Sequence, residues 1–258
     1  MDLQLKNRRV LIVGGSRGIG LAAARAFAEE GAQIAICGRS AGDLEKVQRE
    51  LSPVDVLTFT ADAAKPEEMS HAFDAIERDW GGVDIVVSTV SAMSMMPGDE
   101  AWAASFEADV MSSVRLVRQC LPWLQKSDAA SVVLIGSTAS SEASPLAIAA
   151  FGGEQPYGAV KAALVNYTKT MALQLAHDGV RINMVSPGNV YEPGGAWDGL
   201  KAAMPELYEN MLAENPMGRM ATTEEVANCI LFLASPRAQF VTGQNLIVDG
   251  GLTRRVNG

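Results

Sequence analysis

The sequence predicts an α/β protein with a single doubly wound domain, in which a central parallel sheet of about seven strands is flanked by helices. Two observations lead to this fold class. Short apolar runs alternate with longer segments of helical periodicity, and the apolar runs are continuous rather than interrupted by polar residues. Strands that are buried on both faces have this composition, and repeated β-α units place such strands in parallel.

Seven short apolar runs are the candidate strands of this sheet. They are Val10–Val13, Ile34–Cys37, Val54–Thr60, Val83–Ser88, Val132–Ile135, Ile182–Val185 and Leu246–Val248. Segments of helical length lie between several of them, and the clearest are Leu21–Glu30, Pro66–Trp80 and Tyr157–His177. The sequence has no internal repeat and no linker-like composition, so residues 1–258 are expected to form one domain.

The composition is typical of a globular enzyme and argues against several other classes of protein. Apolar residues make up 48% and charged residues 20%, which is ordinary for a folded soluble domain. The net charge of −9 argues against a nucleic-acid or anionic-membrane partner, since both bind basic surfaces. The N-terminal residues lack the layout of a signal peptide, and no apolar run approaches the ~20 residues of a membrane helix.

Three cysteines, Cys37, Cys120 and Cys229, lie far apart and form no CxxC pair. Each is flanked by apolar residues, which predicts buried free thiols. Free thiols fit a reducing compartment, so we expect a cytoplasmic location. No metal site is predicted.

The stretch "VLIVGGSRGIGLAAARAFAEEG" predicts a phosphate-binding turn of the Rossmann type. A buried strand ends at Val13, glycines follow at Gly14, Gly15, Gly18 and Gly20, and an alanine-rich helix begins. Glycine permits the tight turn and the close approach of a pyrophosphate, while the N–H groups at the helix start favour its negative charge. Strand, turn and helix occur in the order that a dinucleotide-binding site requires.

Tyr157 and Lys161 lie one helical turn apart in "EQPYGAVKAALVNY". The pair alone is weak support for catalysis, because a lysine on an amphipathic helix is usually a solvated surface residue. The i, i+4 spacing nevertheless puts both side chains on one face. A lysine cation there favours the tyrosinate form, which makes the tyrosine a usable acid and base near neutral pH.

These motifs together resemble the short-chain dehydrogenase/reductase family, and the 3-oxoacyl-carrier-protein reductase-like members in particular. The spacing of Gly14, Gly18 and Gly20 matches the family motif TGxxxGxG, with Val13 in place of its threonine. Asp62 in "TADAAKPEE" matches the family's adenine-contacting aspartate. The segments "RINMVSPGNV" and "NPMGRMATTEEVANCILFLASPRAQFVTGQNLIVDGG" match the family's later pattern, so the resemblance covers nearly the whole chain.

The resemblance implies hydride transfer between a nicotinamide cofactor and an alcohol or carbonyl. Ser137 at the end of "SVVLIGS" matches the family's catalytic serine, and Tyr157 and Lys161 match its YxxxK motif. The tetrad asparagine of the family falls on Asp109 in "FEADVMSS", unless Asp109 is only a polar helix residue. The implied cofactor-binding residues are Gly14, Ser16, Arg17, Gly18, Ile19, Gly20, Arg39, Asp62, Ala63, Tyr157, Lys161, Pro187, Gly188 and Val190.

The end of the second strand favours NADP over NAD. NAD enzymes usually place an acidic residue there to bind the ribose 2′-hydroxyl, and Gly38 occupies that position here. Arg39 follows, and Arg17 lies in the glycine turn, so two guanidinium groups are available for a 2′-phosphate. The alternative is that Arg39 is a solvated loop residue.

Two further departures from the family pattern lie after the fourth strand, where the backbone passes the cofactor, and after the fifth strand, in the loop that lines the substrate site. The family's "NNAG" reads Ser88–Ser91 here, so both asparagine side chains are lost. Ser137 and Tyr157 are 20 residues apart, which implies an insertion in a loop that lines the substrate site. Loops on a fixed scaffold commonly set specificity.

Residues of about 191–217 correspond to the family's mobile lid. Apolar residues recur there at helical spacing, which predicts a helix, and methionines at 93, 95 and 96 lie in another loop near the expected cleft. A mostly apolar small carbonyl or alcohol substrate is the resulting expectation. A carrier-protein substrate fits less well because His177 and Asp178 stand where a basic residue would help, but it stays open.

Other readings remain beside the NADP-dependent oxidoreductase. A nucleotide-binding sensor or scaffold of the same fold fits the substitutions at Ser88–Ser91 and Asp109, while the intact Ser137, Tyr157 and Lys161 argue against it. Halohydrin dehalogenases replace the lysine with arginine, and enoyl reductases space tyrosine and lysine more widely, so both fit poorly. By resemblance, the chain is expected to form a homotetramer.

Arg39→Ala is expected to weaken NADPH binding far more than NADH binding, because only NADPH carries the 2′-phosphate. A charge-assisted contact contributes roughly 1.5–3 kcal/mol, or about 10–150-fold in affinity. Titration of both cofactors against the wild type and the variant measures the effect. An equal loss for the two cofactors would refute the assignment of Arg39.

Overall fold

The structure is a computed structural model that describes residues 1–254. Nine strands run through this part of the chain, and seven of them form one sheet. The strands are β1 (Arg9–Val13), β2 (Gln33–Gly38), β3 (Val56–Thr60), β4 (Ile85–Ser88), β5 (Ser131–Ile135), β6 (Arg181–Pro187), β7 (Val190–Tyr191), β8 (Ala221–Thr222) and β9 (Asn245–Val248). The large sheet has the order β3-β2-β1-β4-β5-β6-β9, and all of its pairings are parallel.

Ten α-helices connect these strands within the described residues. They are α1 (Gly18–Glu29), α2 (Ala41–Glu50), α3 (Pro66–Trp80), α4 (Asp99–Ser105), α5 (Ser112–Leu124), α6 (Pro145–Phe151), α7 (Tyr157–Leu175), α8 (Ala196–Ala203), α9 (Pro205–Ala213) and α10 (Thr223–Ala234). None of the helices in this part of the chain has the length and apolar character of a membrane span. The two remaining strands, β7 and β8, pair with each other in a small parallel sheet.

The predicted fold class is confirmed, and so are all seven predicted strands, whose ends differ from the prediction by two residues or fewer. The central strands are buried along their whole length, as their continuous apolar composition requires. One apolar core lies between the sheet and α1, α2 and α10, and a second lies between the sheet and α3, α5 and α7. Phe27 is fully buried in the first core and Leu164 is 1% exposed in the second.

The strand order reverses between β1 and β4. From β1 the chain adds β2 and β3 on one side, and it then returns to add β4, β5, β6 and β9 on the other side. In an open parallel sheet, the crevice outside the carboxyl ends of the strands at such a switch point is where ligands bind. The glycine turn after β1 and the loops after β4 and β5 all open at this edge. The candidate ligand-binding site therefore lies at this edge of the sheet.

The structure departs from the predicted single helix in residues 191–217. Two helices occur there, α8 and α9, and the chain breaks at Met204, whose φ of −140° and ψ of 66° are not helical. Pro205 causes the break, since proline lacks an N–H and disfavours helical geometry in the residue before it. The insertion between Ser137 and Tyr157 also forms a helix that was not predicted, α6, and α6 packs against α9.

The prediction of buried free thiols is confirmed for Cys37 and Cys120, whereas Cys229 is only partly buried. Burial raises the pKa of the Cys37 thiol to about 12. A thiol in that environment is unreactive at neutral pH, so this cysteine serves packing rather than chemistry. No cluster of three or more potential metal-binding side chains occurs among residues 1–254.

Candidate active site

The glycine turn after β1 is wound so tightly that a side chain would clash at several of its positions. The N–H groups of Gly14 and Gly15 both donate to the Cys37 carbonyl, at 2.9 and 3.3 Å. Gly14 and Gly18 have φ angles of +88° and +58°, which favour glycine. A Cβ at Gly20 would lie 2.3 Å from the Gly14 carbonyl oxygen. The turn can therefore approach a ligand with bare backbone.

The first N–H of α1 already binds an anionic group of the protein. The Gly18 N–H donates to Oε1 of Glu192 at 2.6 Å, and α1 has no side-chain N-cap of its own. A helix start with unsatisfied N–H groups attracts negative charge, so it can bind this carboxylate or an anionic ligand. The turn thus fits the pyrophosphate of a dinucleotide. The sequence did not indicate Glu192, because only the fold brings it to Gly18.

Thr89 ties the end of β4 to the glycine turn. Its hydroxyl lies 3.2 Å from the Val13 carbonyl oxygen and 3.0 Å from that of Gly14, and it can donate to either. This residue is one of the four at Ser88–Ser91 that differ from the family pattern. Thr89 therefore joins the ends of two neighbouring strands by a hydrogen bond, although the family's asparagine is missing at this position.

The end of β2 presents two arginines and no carboxylate to the same edge. Arg39 follows the last residue of β2, Gly38, and its side chain is exposed, as is that of Arg17 in the glycine turn. A Cβ at Gly38 would lie 2.9 Å from the Ser16 hydroxyl oxygen, so a larger side chain there would press on the turn. An anion bound at this corner would find guanidinium groups and a hydroxyl.

The other predicted cofactor residues lie on loops at the same edge. Oδ1 of Asp62, just after β3, accepts a hydrogen bond from the Ala64 N–H at 3.0 Å. Pro187 ends β6, and a Cβ at Gly188 would lie 2.9 Å from the Asp249 Cβ. Three further positions are partly buried against the two cores: Ile19, Ala63 and Val190.

Ser137 and Tyr157 belong to two pieces of chain that are pressed together. Ser137 follows β5, and its hydroxyl accepts a hydrogen bond from the Ala139 N–H at 3.1 Å. Tyr157 is the first residue of α7, and a Cβ at the neighbouring Gly158 would lie only 2.7 Å from the Ala139 carbonyl oxygen. Lys161 follows one turn later, with its Nζ 5.8 Å from the centre of the Tyr157 ring. The fold thus assembles the predicted serine, tyrosine and lysine.

Lys161 is held in a buried ion pair with Asp109. The Lys161 Nζ lies 2.9 Å from Asp109 Oδ1, and the two side chains are 1% and 0% exposed. The same ammonium donates to the Ile135 carbonyl at 3.0 Å, and Asp109 Oδ2 accepts from the Ala92 N–H at 2.9 Å. Buried charges persist only when they are paired and hydrogen-bonded. The ammonium is consequently fixed in position below the tyrosine.

A π-helical turn, Phe106–Met111, places Asp109 at this position. The turn lies between α4 and α5, and its wider winding is of a kind that often occurs at functional sites. The Ser113 hydroxyl donates to the Asp109 carbonyl at 3.1 Å and so supports the turn from α5. The side chain that aligns with the family's asparagine therefore contacts Lys161 directly.

Large apolar side chains are exposed on the loops around this group. Met93 follows β4, Ile148 lies on α6, and Met204 lies between α8 and α9. Trp102 of α4 is also partly exposed, and its indole N–H donates to the Glu154 carbonyl at 3.1 Å, which links α4 to the insertion. All four lie in connections that leave the carboxyl ends of strands, the edge at which a cleft is expected.

The chain is similar to known reductases and dehydrogenases over nearly its whole length. A family model described as enoyl-(acyl carrier protein) reductase matches residues 13–253. The chain is 34% identical over 255 residues to isoepoxydon dehydrogenase patN of Aspergillus clavatus, covering 96% of this chain and 95% of the relative. It is 30% identical over 254 residues to the 3-oxoacyl-[acyl-carrier-protein] reductase FabG of Vibrio cholerae, covering 97% and 99%.

A solved structure is similar over the same extent. The L-sorbose reductase of Gluconobacter frateurii, crystallised with NADPH and L-sorbose, superimposes with a TM-score of 0.88 and 30% identity. The match covers 99% of this chain and all of the reductase chain.

Asp109→Asn is expected to lower the free energy of unfolding by roughly 1–3 kcal/mol, because the buried Lys161 ammonium loses its counter-charge while the size of its neighbour is kept. Asp74→Asn, the same substitution at an exposed site of α3, is the matched control and should change stability by less than about 0.5 kcal/mol. Urea unfolding at pH 7 compares the three proteins. Equal stability of the two variants would contradict a contribution from the ion pair.

Proposed function

The chain belongs to the short-chain dehydrogenase/reductase family and is an NADP-dependent oxidoreductase of carbonyl and alcohol groups, and we propose that it acts on a small, mostly apolar substrate with Tyr157 as the acid and base. One observation carries the assignment of Tyr157. The Lys161 ammonium is buried and fixed beside the Tyr157 ring, while the turn that holds Ser137 packs against the same helix start. The alternative of a catalytically inactive sensor has no support from this arrangement.

The proposed reaction balances a hydride with a proton. NADP, when bound, supplies or accepts the hydride at the substrate carbon. In the reductive direction, Tyr157 gives its phenolic proton to the substrate oxygen, and in the oxidative direction it takes that proton back. Ser137 donates a hydrogen bond to the same oxygen as negative charge develops there. The Lys161 cation stabilises the tyrosinate that remains after proton transfer.

The residues that would hold NADP are those of the sheet edge. The bare glycine turn and the Gly18 N–H suit the pyrophosphate, and the exposed Arg17 and Arg39 suit the 2′-phosphate. Asp62 is proposed to contact the adenine. The fit rests on the turn itself, where a carboxylate of the protein already occupies the anion position at Gly18.

The substrate is proposed to be small and mostly apolar because the loops over the site are apolar. Met93, Ile148 and Met204 expose 57%, 45% and 40% of their surface around the cleft. The related enzymes act on chemically different compounds, including L-sorbose, so their names do not transfer a substrate to this chain. Measuring NADPH oxidation against ketones, aldehydes and acyl thioesters identifies the class.

A homotetramer in a reducing, cytoplasmic compartment is the proposed state of the protein. Leu173 on α7 is 75% exposed and Phe240 is fully exposed, and β9 is an edge strand of the large sheet. Edge strands and apolar surface of this kind are commonly covered by another chain. The segment "NLIVDGGLTRRV" is expected to add a second contact, although its last two residues lie outside the described residues. Three free cysteines support the compartment.

Tyr157→Phe is expected to retain NADP binding and to lose about 10²–10⁴-fold in turnover, because the substitution removes only the transferable proton. Tyr167→Phe, the same change ten residues later on α7, is the matched control and should keep most of the activity. Initial rates on a substrate found in the screen, together with cofactor titrations, separate chemistry from binding. A Tyr157→Phe enzyme with near wild-type turnover would overturn the mechanism.

Light scattering at micromolar concentration is expected to give about four times the chain mass of 27.3 kDa. Leu173→Asp should reduce that mass, since it places a charge on an exposed apolar position of α7. Lys46→Asp on α2 is the matched control, because it puts an acidic side chain at an exposed site on the other face of the sheet and should leave the mass unchanged. A monomeric wild type would rule out the tetramer.

A further inference from the structure

Glu192 links the candidate lid to the cofactor turn. It lies between β7 and α8, at the beginning of residues 191–217, and its carboxylate accepts the Gly18 N–H at 2.6 Å. A Cβ at Gly18 would lie 3.0 Å from the other carboxylate oxygen, so the group covers the residue at which α1 begins. The contact joins positions 174 residues apart in the chain.

The contact is part of an ordered local structure. The Gly195 N–H donates to the Glu192 carbonyl at 3.0 Å, which closes a turn just before α8. In the same turn, the Gly194 N–H donates to Oδ2 of Asp198, a residue of α8, at 2.6 Å. The start of the lid is therefore folded around the residue that reaches the turn. The Glu192 backbone is thus joined by a hydrogen bond to the segment that leads into α8.

The carboxylate and a bound pyrophosphate cannot both use the Gly18 N–H. Each is anionic, each is attracted by the same helix start, and at close range they repel each other. Arg25 of α1 pairs with Glu50 and also interacts electrostatically with Glu192, so it helps to attract the carboxylate to this corner. Binding of the dinucleotide at this turn therefore requires the carboxylate to leave.

We infer that Glu192 is a residue that sets cofactor affinity, by competing with the pyrophosphate for the start of α1 and releasing the lid when the cofactor takes its place. This inference rests on the proposed binding of NADP at the glycine turn. A state in which Glu192 is docked lowers the apparent affinity for the cofactor, because part of the binding energy is used to displace the carboxylate. The same competition assists cofactor release after the reaction.

Glu192→Gln tests the inference, since it removes the charge and keeps the shape of the side chain. A charge-assisted hydrogen bond is about twice as strong as a neutral one, so the weaker competitor should tighten the binding of NADP+ and NADPH by about fivefold to tenfold. Glu209→Gln, at an exposed position of α9, removes the same charge from the lid and should leave both Kd values within about twofold. Isothermal titration of the three proteins gives the comparison.

Hydrogen exchange of the cofactor-free proteins provides a second readout that is independent of activity. Amides of residues 192–203 should exchange faster in Glu192→Gln than in the wild type, because the anchor at Gly18 is weakened. Unchanged or weaker cofactor binding in the Gln variant, relative to Glu209→Gln, would overturn the inference. A wild type that does not bind NADP would instead overturn the proposed cofactor site.

Discussion

The arrangement at the carboxyl edge of the sheet depends on the burial of one charged group, the ammonium of Lys161. A lone ammonium in an apolar interior is costly, so the surrounding fold has to supply acceptors for it. The Ile135 carbonyl at the end of β5 and the Asp109 carboxylate on the π-helical turn supply them. Asp109 in turn receives the Ala92 N–H from the loop after β4. Three separate pieces of chain are thereby fixed around the helix that carries Tyr157.

An aspartate at this position changes the electrostatics of the site as well as its packing. Where the family pattern has a neutral amide, this chain has a carboxylate 2.9 Å from the ammonium. The two charges act on more distant groups as a dipole, whose field falls off faster with distance than that of a single cation. The pair also leaves the interior below the tyrosine without net charge. The site thus gains a rigid support at the expense of part of the cation's influence.

The sequence alone was sufficient to predict the elements and site residues that depend on a local pattern. Strands buried on both faces are recognisable as continuous apolar runs, and the glycine spacing, Ser137 and the pair Tyr157 and Lys161 are close enough to a known pattern to be placed by number. The NADP assignment followed from Gly38 and Arg39 in the same way. The break between α8 and α9 at Pro205 was also available from the sequence, because proline before a second apolar repeat is a helix-start signal.

Contacts between distant parts of the chain were not available from the sequence. Glu192 reaches Gly18, and the Thr89 hydroxyl reaches the Val13 and Gly14 carbonyls, only because parallel strands bring their carboxyl ends together. The packing of Gly158 on Ala139 is likewise visible only in the folded structure.

That packing brings together the two ends of the insertion between Ser137 and Tyr157, so the insertion is a loop closed at a fixed base. Doubling the length of such a loop costs only about 0.6 kcal/mol. Evolution or protein engineering can therefore lengthen or shorten this segment while the acid–base residues stay in register, provided that its contacts with α4 and α9 are kept.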